Sequence, residues 1–151
     1  IKLGRLVECA DMTTRIMDVG AGDIMERAGR FGAIDPLLWG ALLQALSAAA
    51  AYRREVGPII EKDAALNFIF LSSTFPRSIK YFVRETRKEL MRLNNHDLAI
   101  RAVERLRRRL ARLDAEHFTS GELHDYIDDF QLQLTSLDAA IQATWFSWEN
   151  A

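Results

Sequence analysis

One cysteine, three prolines and the want of any apolar run of membrane length set the outer limits on what this sequence can be. The lone Cys9 excludes an internal disulfide and a cysteine zinc cage, which fits a reducing compartment and makes the cytoplasm the expected location. The longest strongly apolar stretch, Ala64 to Leu71, falls far short of the roughly 20 residues that cross a bilayer, so no membrane partner is expected. The opening residues do not supply the basic start, apolar segment and small-residue cleavage site of a secretory signal. An excess of one charge is missing too: 20 Lys and Arg balance 21 Asp and Glu, against what a dedicated nucleic-acid or polyanion binder needs. A Gly-rich phosphate loop, a G-x-S-x-G elbow and an H-E-x-x-H pair are absent, and the familiar enzyme signatures with them. Paired E-x-x-H motifs are also lacking, so neither a di-metal centre nor any cofactor is implied.

What is present is helical rhythm. Leu3, Leu6, Val7, Ala10, Thr14 and Met17 share one face of a helix that is under way at the first residue and runs to about Met25. With no initiator Met ahead of it, this helix is expected to begin upstream, in a segment not included here. After "AGRFGAID", Asp35 can cap and Pro36 can open a second helix, which should continue to Gly57-Pro58. Within it, Ala48 to Ala51 leave room for a neighbouring helix to approach closely. A third helix, about Ile60 to Leu71, is apolar nearly all round, and Asn67 within it needs a buried partner. The fourth spans Pro76 to Leu93 and the fifth about Asp97 to Leu113, with Ile100, Val103, Leu106, Leu110 and Leu113 inward. Thr119 and Glu122 form a capping box for the sixth, whose stripe Leu123, Tyr126, Ile127, Phe130, Leu134, Leu137, Ile141, Trp145 and Trp148 is the clearest in the chain. No period-2 alternation competes, and short connections favour antiparallel neighbours. The expectation is one all-α domain, a mostly antiparallel bundle of about six helices.

Charged side chains on these helices offer several candidate sites. Arg5, Glu8, Met12 and Arg15 run in a row on the first helix, either as a surface laced by ion pairs, with Asp11 four residues before Arg15, or as a polar seam facing a ligand. Cys9 reads as a packed residue, because its helix holds no His to activate it. Phe75-Pro76-Arg77-Ser78 is the best local candidate for an anion site, with Arg77 and the Ser78 hydroxyl beside the free amides of a helix start; the favoured reading is a plain helix start, with Phe75 packing and Pro76 fixing the entry. Arg101, Arg105, Arg108 and Arg112 form a stripe opposite the apolar face of the fifth helix. Glu104, Asp114 and Glu116 dilute it and no aromatics interleave, so nucleic acid is not the expected partner. His124 and Asp128 share a face beside Asp125 and Asp129, yet without a motif that would make them metal ligands.

Several stretches in order, "LGRLVECADMTTRIMDV", "WGALLQALSAAAAYRREV", "FIFLSSTFPRSIKYFV", "LHDYIDDFQLQL" and "AIQATWF", resemble the later half of the bacterial alpha-E proteins, domain of unknown function 403. The most specific piece is Phe75-Pro76-Arg77-Ser78 after an apolar helix. At the place of the family's Glu-Arg pair this chain reads Glu8-Cys9, so the glutamate carries over and the arginine does not. The resemblance implies an upstream half, and company with ATP-grasp-like ligases and transglutaminase-like proteins. Two readings follow. The first is a non-catalytic interaction or accessory module for peptide or amide ligation, with a protein partner or a second copy covering apolar surface on the first two helices. The second is an enzyme or substrate-binding subunit whose polar pocket, holding Glu8, Arg15 and Arg77, takes an anionic or peptide ligand.

Overall fold

The apolar spacing that opens the chain folds as α1 (Lys2–Ile16), which continues through a π-helical turn (Met17–Ala21) into α2 (Gly22–Glu26). The computed structural model describes residues 2–27, 35–114 and 118–147, and all regular structure among them is helical. The other elements are α3 (Asp35–Ala45), α4 (Ala49–Glu55), α5 (Lys62–Leu71), α6 (Ile79–Leu90), α7 (Asp97–Ala111) and α8 (Ser120–Trp145). Most of "AGRFGAID" and Trp148 lie outside the described residues.

Four of these helices close a ring: α1 packs on α6, α6 on α7, α7 on α8, and α8 back on α1. Cross-links fix their directions. Lys2 at the start of α1 meets Glu89 at the end of α6, while Thr13 near the end of α1 meets Arg77 just before α6, so the two are antiparallel. Asp18, just past α1, meets His124 near the start of α8, and Trp145 at the end of α8 reaches Asn94 just before α7. The ring therefore alternates in direction at every step. Leu123, Ile127, Phe130, Leu134, Leu137 and Ile141 of α8 are buried within it. Each such side chain stabilises the fold by about 1.5–3 kcal/mol relative to exposure. The capping box is formed, with Thr119 and Glu122 each satisfying the other's backbone amide. α5 and α3 stack beside the ring, α5 against α6 and α3 against α5 and the π-helical turn.

The structure departs from sequence expectation at helix ends. The single helix expected from Pro36 to Val56 is two, broken at Ser47, which adopts a left-handed φ of 55°. Ala48 N bonds to Leu43 O and Ser47 N to Gln44 O, the paired bonds of a Schellman turn, which ends α3 and starts α4 in a new direction. The fourth helix starts at Ile79 rather than Pro76 and stops at Leu90 rather than Leu93. Asp35 is the first residue of α3, and its Oδ1 is buried with no hydrogen-bond partner among the described residues. Asn67 is exposed, so α5 turns one polar position to solvent and needs no buried partner there. Ile100 and Leu113 are only partly buried. No helix among the described residues is long and apolar enough to cross a membrane.

Candidate functional site

Arg5, Glu8 and Met12 stand three to four residues apart on α1, so the helix carries them in one line past whatever lies alongside. Alongside lie the end of α3 and the turn before α6. Arg5, Glu8, Cys9 and Met12 line one wall of a groove of about 240 Å3, and Leu46 and Arg77 line the other. Two arginines and a glutamate thus share one small space. Neither Arg5 nor Glu8 makes an ion pair among the described residues, which leaves both charges facing solvent or a ligand.

Arg77 is held from two sides. Its carbonyl accepts a hydrogen bond from the buried Thr13 Oγ1 at 3.1 Å, and its Nη1 donates to the Leu46 carbonyl at 3.2 Å. Leu46 follows the last residue of α3, where backbone carbonyls lack intrahelical partners and a positive charge is favoured. The turn supporting Arg77 is tightly bonded. Ser72 Oγ donates to Glu55 at 2.7 Å and accepts from Phe75 N at 3.1 Å, and the buried Phe75 ring stacks on Phe68 at 5.1 Å.

Ser78, by contrast, does not enter the groove. Its side chain is fully buried, with Oγ donating to Ser72 O at 2.5 Å and accepting from Tyr81 N at 3.1 Å. The hydroxyl is committed to capping α6 and has no capacity left for an anion. Arg15 also stands apart, its Nε on Asp11 Oδ2 at 2.8 Å in the i, i+4 pair that the sequence offers. It lies at the rim of a second hollow, of about 510 Å3, which continues the groove along α3 past the shared Ile16 and Ala45. That hollow is apolar: Val19 and Ile24 face Leu38 and Leu42. Gly20 lets the π-helical turn come this close, since a Cβ there would lie 2.7 Å from Leu42 Cδ1. Val19 of the turn is 76% exposed and Met12 of α1 56%.

Cys9 sits half-buried in the groove wall. Burial pushes its thiol above the usual range, Arg77 draws it down in part, and Glu8 pushes it up again. It is therefore poorly disposed to act as a nucleophile at neutral pH.

A separate cluster joins the π-helical turn to α8. His124 Nδ1 lies 2.7 Å from Asp18 Oδ1 and His124 Nε2 lies 3.3 Å from Asp128 Oδ2. These three could in geometry surround a cation, but each ring nitrogen already faces a carboxylate, the arrangement of an imidazolium held between two acids. Asp129 is elsewhere, paired with Arg109 at 2.7 Å.

Several groove residues escape a reading of the sequence. Leu46 contributes a carbonyl freed by a turn that no glycine announces, and Thr13 contributes the buried hydroxyl that positions Arg77. The charged row on α1 was the visible signal. The chain belongs to the Alpha-E family, described as a predicted α-helical domain with a conserved ER motif, whose model matches residues 1–146. No curated protein and no solved structure matches the chain.

Proposed function

We propose that this Alpha-E chain is a non-catalytic helical interaction module, which holds a peptide segment of a partner that carries out peptide or amide-bond ligation. The observation that carries this reading is the continuity of the α1–α3 groove, charged at one end by Arg5, Glu8 and Arg77 and apolar at the other along Val19, Ile24, Leu38 and Leu42. An extended peptide fits that division: a polar or terminal group at the charged end and apolar side chains in the hollow. The raised Cys9 thiol supports a binding role over a nucleophilic one. The class of partner, an ATP-grasp-like ligase or a transglutaminase-like protein, follows from the family resemblance.

A second reading is favoured by the gathering of Arg5, Glu8 and Arg77 in one groove: a substrate-binding subunit that takes a free peptide or anionic small molecule at the same place. Purified chain and an ATP-grasp-like ligase from the same organism, mixed and followed by sedimentation and by ligase turnover, separate the two. The module reading expects a complex that Arg5→Glu and Val19→Asp each weaken by roughly tenfold, the size of a lost hot-spot contact. The subunit reading expects groove-dependent binding of the ligase's free substrate without a stable complex. A ligase that neither binds this chain nor changes in activity when it is deleted removes the first reading, and self-association that the same substitutions abolish would reassign the groove to a second copy.

A further inference from the structure

A second open cleft, of about 770 Å3, lies between the last two turns of α7 and the first half of α8 and shares no lining residue with the α1–α3 groove. Its wall is built by Arg105, Arg108, Arg109 and Arg112, with Phe118 and Tyr126 facing them. Arg101, which belongs to the same stripe in sequence, is not part of it and folds back on Asp97 O at 3.4 Å. Arg109 takes its place, a residue that the stripe did not include.

The four arginines are not equivalent. Arg109 is fixed: its guanidinium lies 5.4 Å above the Tyr126 ring and its Nε is 2.7 Å from Asp129 Oδ2, while Gln133 Nε2 holds the same carboxylate oxygen at 2.7 Å. Arg105, Arg108 and Arg112 form no ion pair among the described residues. Their neighbours on the far side of α7 behave otherwise, with Arg87 and Arg107 both on Glu104 and Arg84 on Glu85. Carboxylates do stand near the cavity, but Glu122 turns back to the Thr119 amide at 3.1 Å, Asp129 serves Arg109, and Asp114 is itself engaged. Like charges at three- and four-residue spacing on one helix repel, so three arginines without a direct ion pair among the described residues carry a small cost that a bound anion offsets.

We infer that this cavity binds a small oligophosphate group, held by the unpaired guanidinium forks of Arg105, Arg108 and Arg112. Along α7 these residues rise by about 4.5 and about 6 Å, so their forks address several adjacent anionic groups rather than one carboxylate. The cavity is of small-molecule size. Single-stranded nucleic acid would need open aromatic faces for its bases; Tyr126 is covered by Arg109 and met edge-on by Phe70 at 5.6 Å, and Phe118 packs against the Phe70 and Tyr126 rings at 6.2 and 5.8 Å. The site is independent of the α1–α3 groove and of the function proposed for it.

The test is calorimetric titration of the intact chain with inorganic tripolyphosphate at physiological salt, comparing Arg108→Ala/Arg112→Ala with Arg53→Ala/Arg54→Ala. The second pair removes the same charge from exposed positions on α4. Binding that the first pair weakens by roughly tenfold or more and the second leaves within about twofold supports the site, since each lost charge-assisted bond is worth about that factor. All four positions are outside the buried core, so both variants keep the fold, checked by circular dichroism. No binding by the native chain, equal weakening by both pairs, or tight length-dependent RNA binding that tripolyphosphate does not displace would each overturn it.

Discussion

The guanidinium of Arg77 ends α3 from outside: its Nη1 donates to the Leu46 carbonyl at 3.2 Å, across a gap of 31 residues in sequence. One side chain thereby closes a helix terminus and charges the groove beside it. Arg77→Ala should lower stability by about 1 kcal/mol, the usual worth of a part-exposed hydrogen bond, and Arg77→Lys should lose less because the charge near the helix end survives. Urea unfolding followed by circular dichroism measures both. Equal stability of all three proteins would mean that the bond contributes nothing and that Arg77 is free to serve a ligand.

Ser47 presents the opposite case, a residue that strains to hold its place. Its φ of 55° is the left-handed conformation that closes a Schellman turn, which glycine adopts without the steric cost a side chain brings. Ser47→Gly should raise stability by about 0.5–1 kcal/mol, and Ser47→Val should lower it by more than that. The urea midpoint should shift with an unchanged slope, since the surface exposed on unfolding stays the same.

That turn also explains what the sequence could and could not disclose. The six helical segments were legible because apolar residues recur at helical spacing, and the α8 stripe is buried at Leu123, Ile127, Phe130, Leu134, Leu137 and Ile141 and partly buried at Tyr126 and Trp145. The α3–α4 break was not, because a serine stands where glycine normally announces it. The shift of the α6 start from Pro76 to Ile79 was equally hidden, for a proline followed by Arg-Ser offers two places to begin, and the bonds that choose between them come from Ser72 and Glu55. Of the candidate site, the row Arg5, Glu8, Met12 was visible as helix geometry, whereas its meeting with Arg77 depends on packing across the bundle. Ser78 looked available only while its partner Ser72 O was unknown.

Ser78 should accordingly behave as a structural residue. Ser78→Ala removes the cap from the Tyr81 amide and the donor to the buried Ser72 carbonyl together, an expected loss of about 2 kcal/mol. The neighbouring Ser73 is exposed, and Ser73→Ala should cost less than about 0.5 kcal/mol. Thermal unfolding of the two variants in parallel gives the comparison, and a Ser78→Ala protein as stable as Ser73→Ala would return the hydroxyl to the list of ligand contacts.

The pH dependence of stability should reveal the clamp between the π-helical turn and α8. Asp18 raises the His124 pKa above its ordinary 6.5, first through their hydrogen bond and then through its charge, with Asp128 adding to the attraction. A group whose pKa is higher folded than unfolded binds its proton more tightly in the folded state. Its contribution is therefore complete below about pH 6.5 and declines as pH rises through the higher folded value. As pH rises from about 6.5 through the higher folded value, the native chain should thus lose stability relative to Asp18→Asn, whose own curve is flatter there because the principal partner is gone. The side chain of His124 is 59% exposed, so salt should shrink the difference. A steeper decline in Asp18→Asn than in the native chain would mean that another group titrates there. A metal ion held by Asp18, His124 and Asp128 would reverse the sign, since deprotonating the imidazole frees a ligand and binding would then strengthen with pH. Repeating the series with and without a chelator decides between a protonated clamp and a cation site.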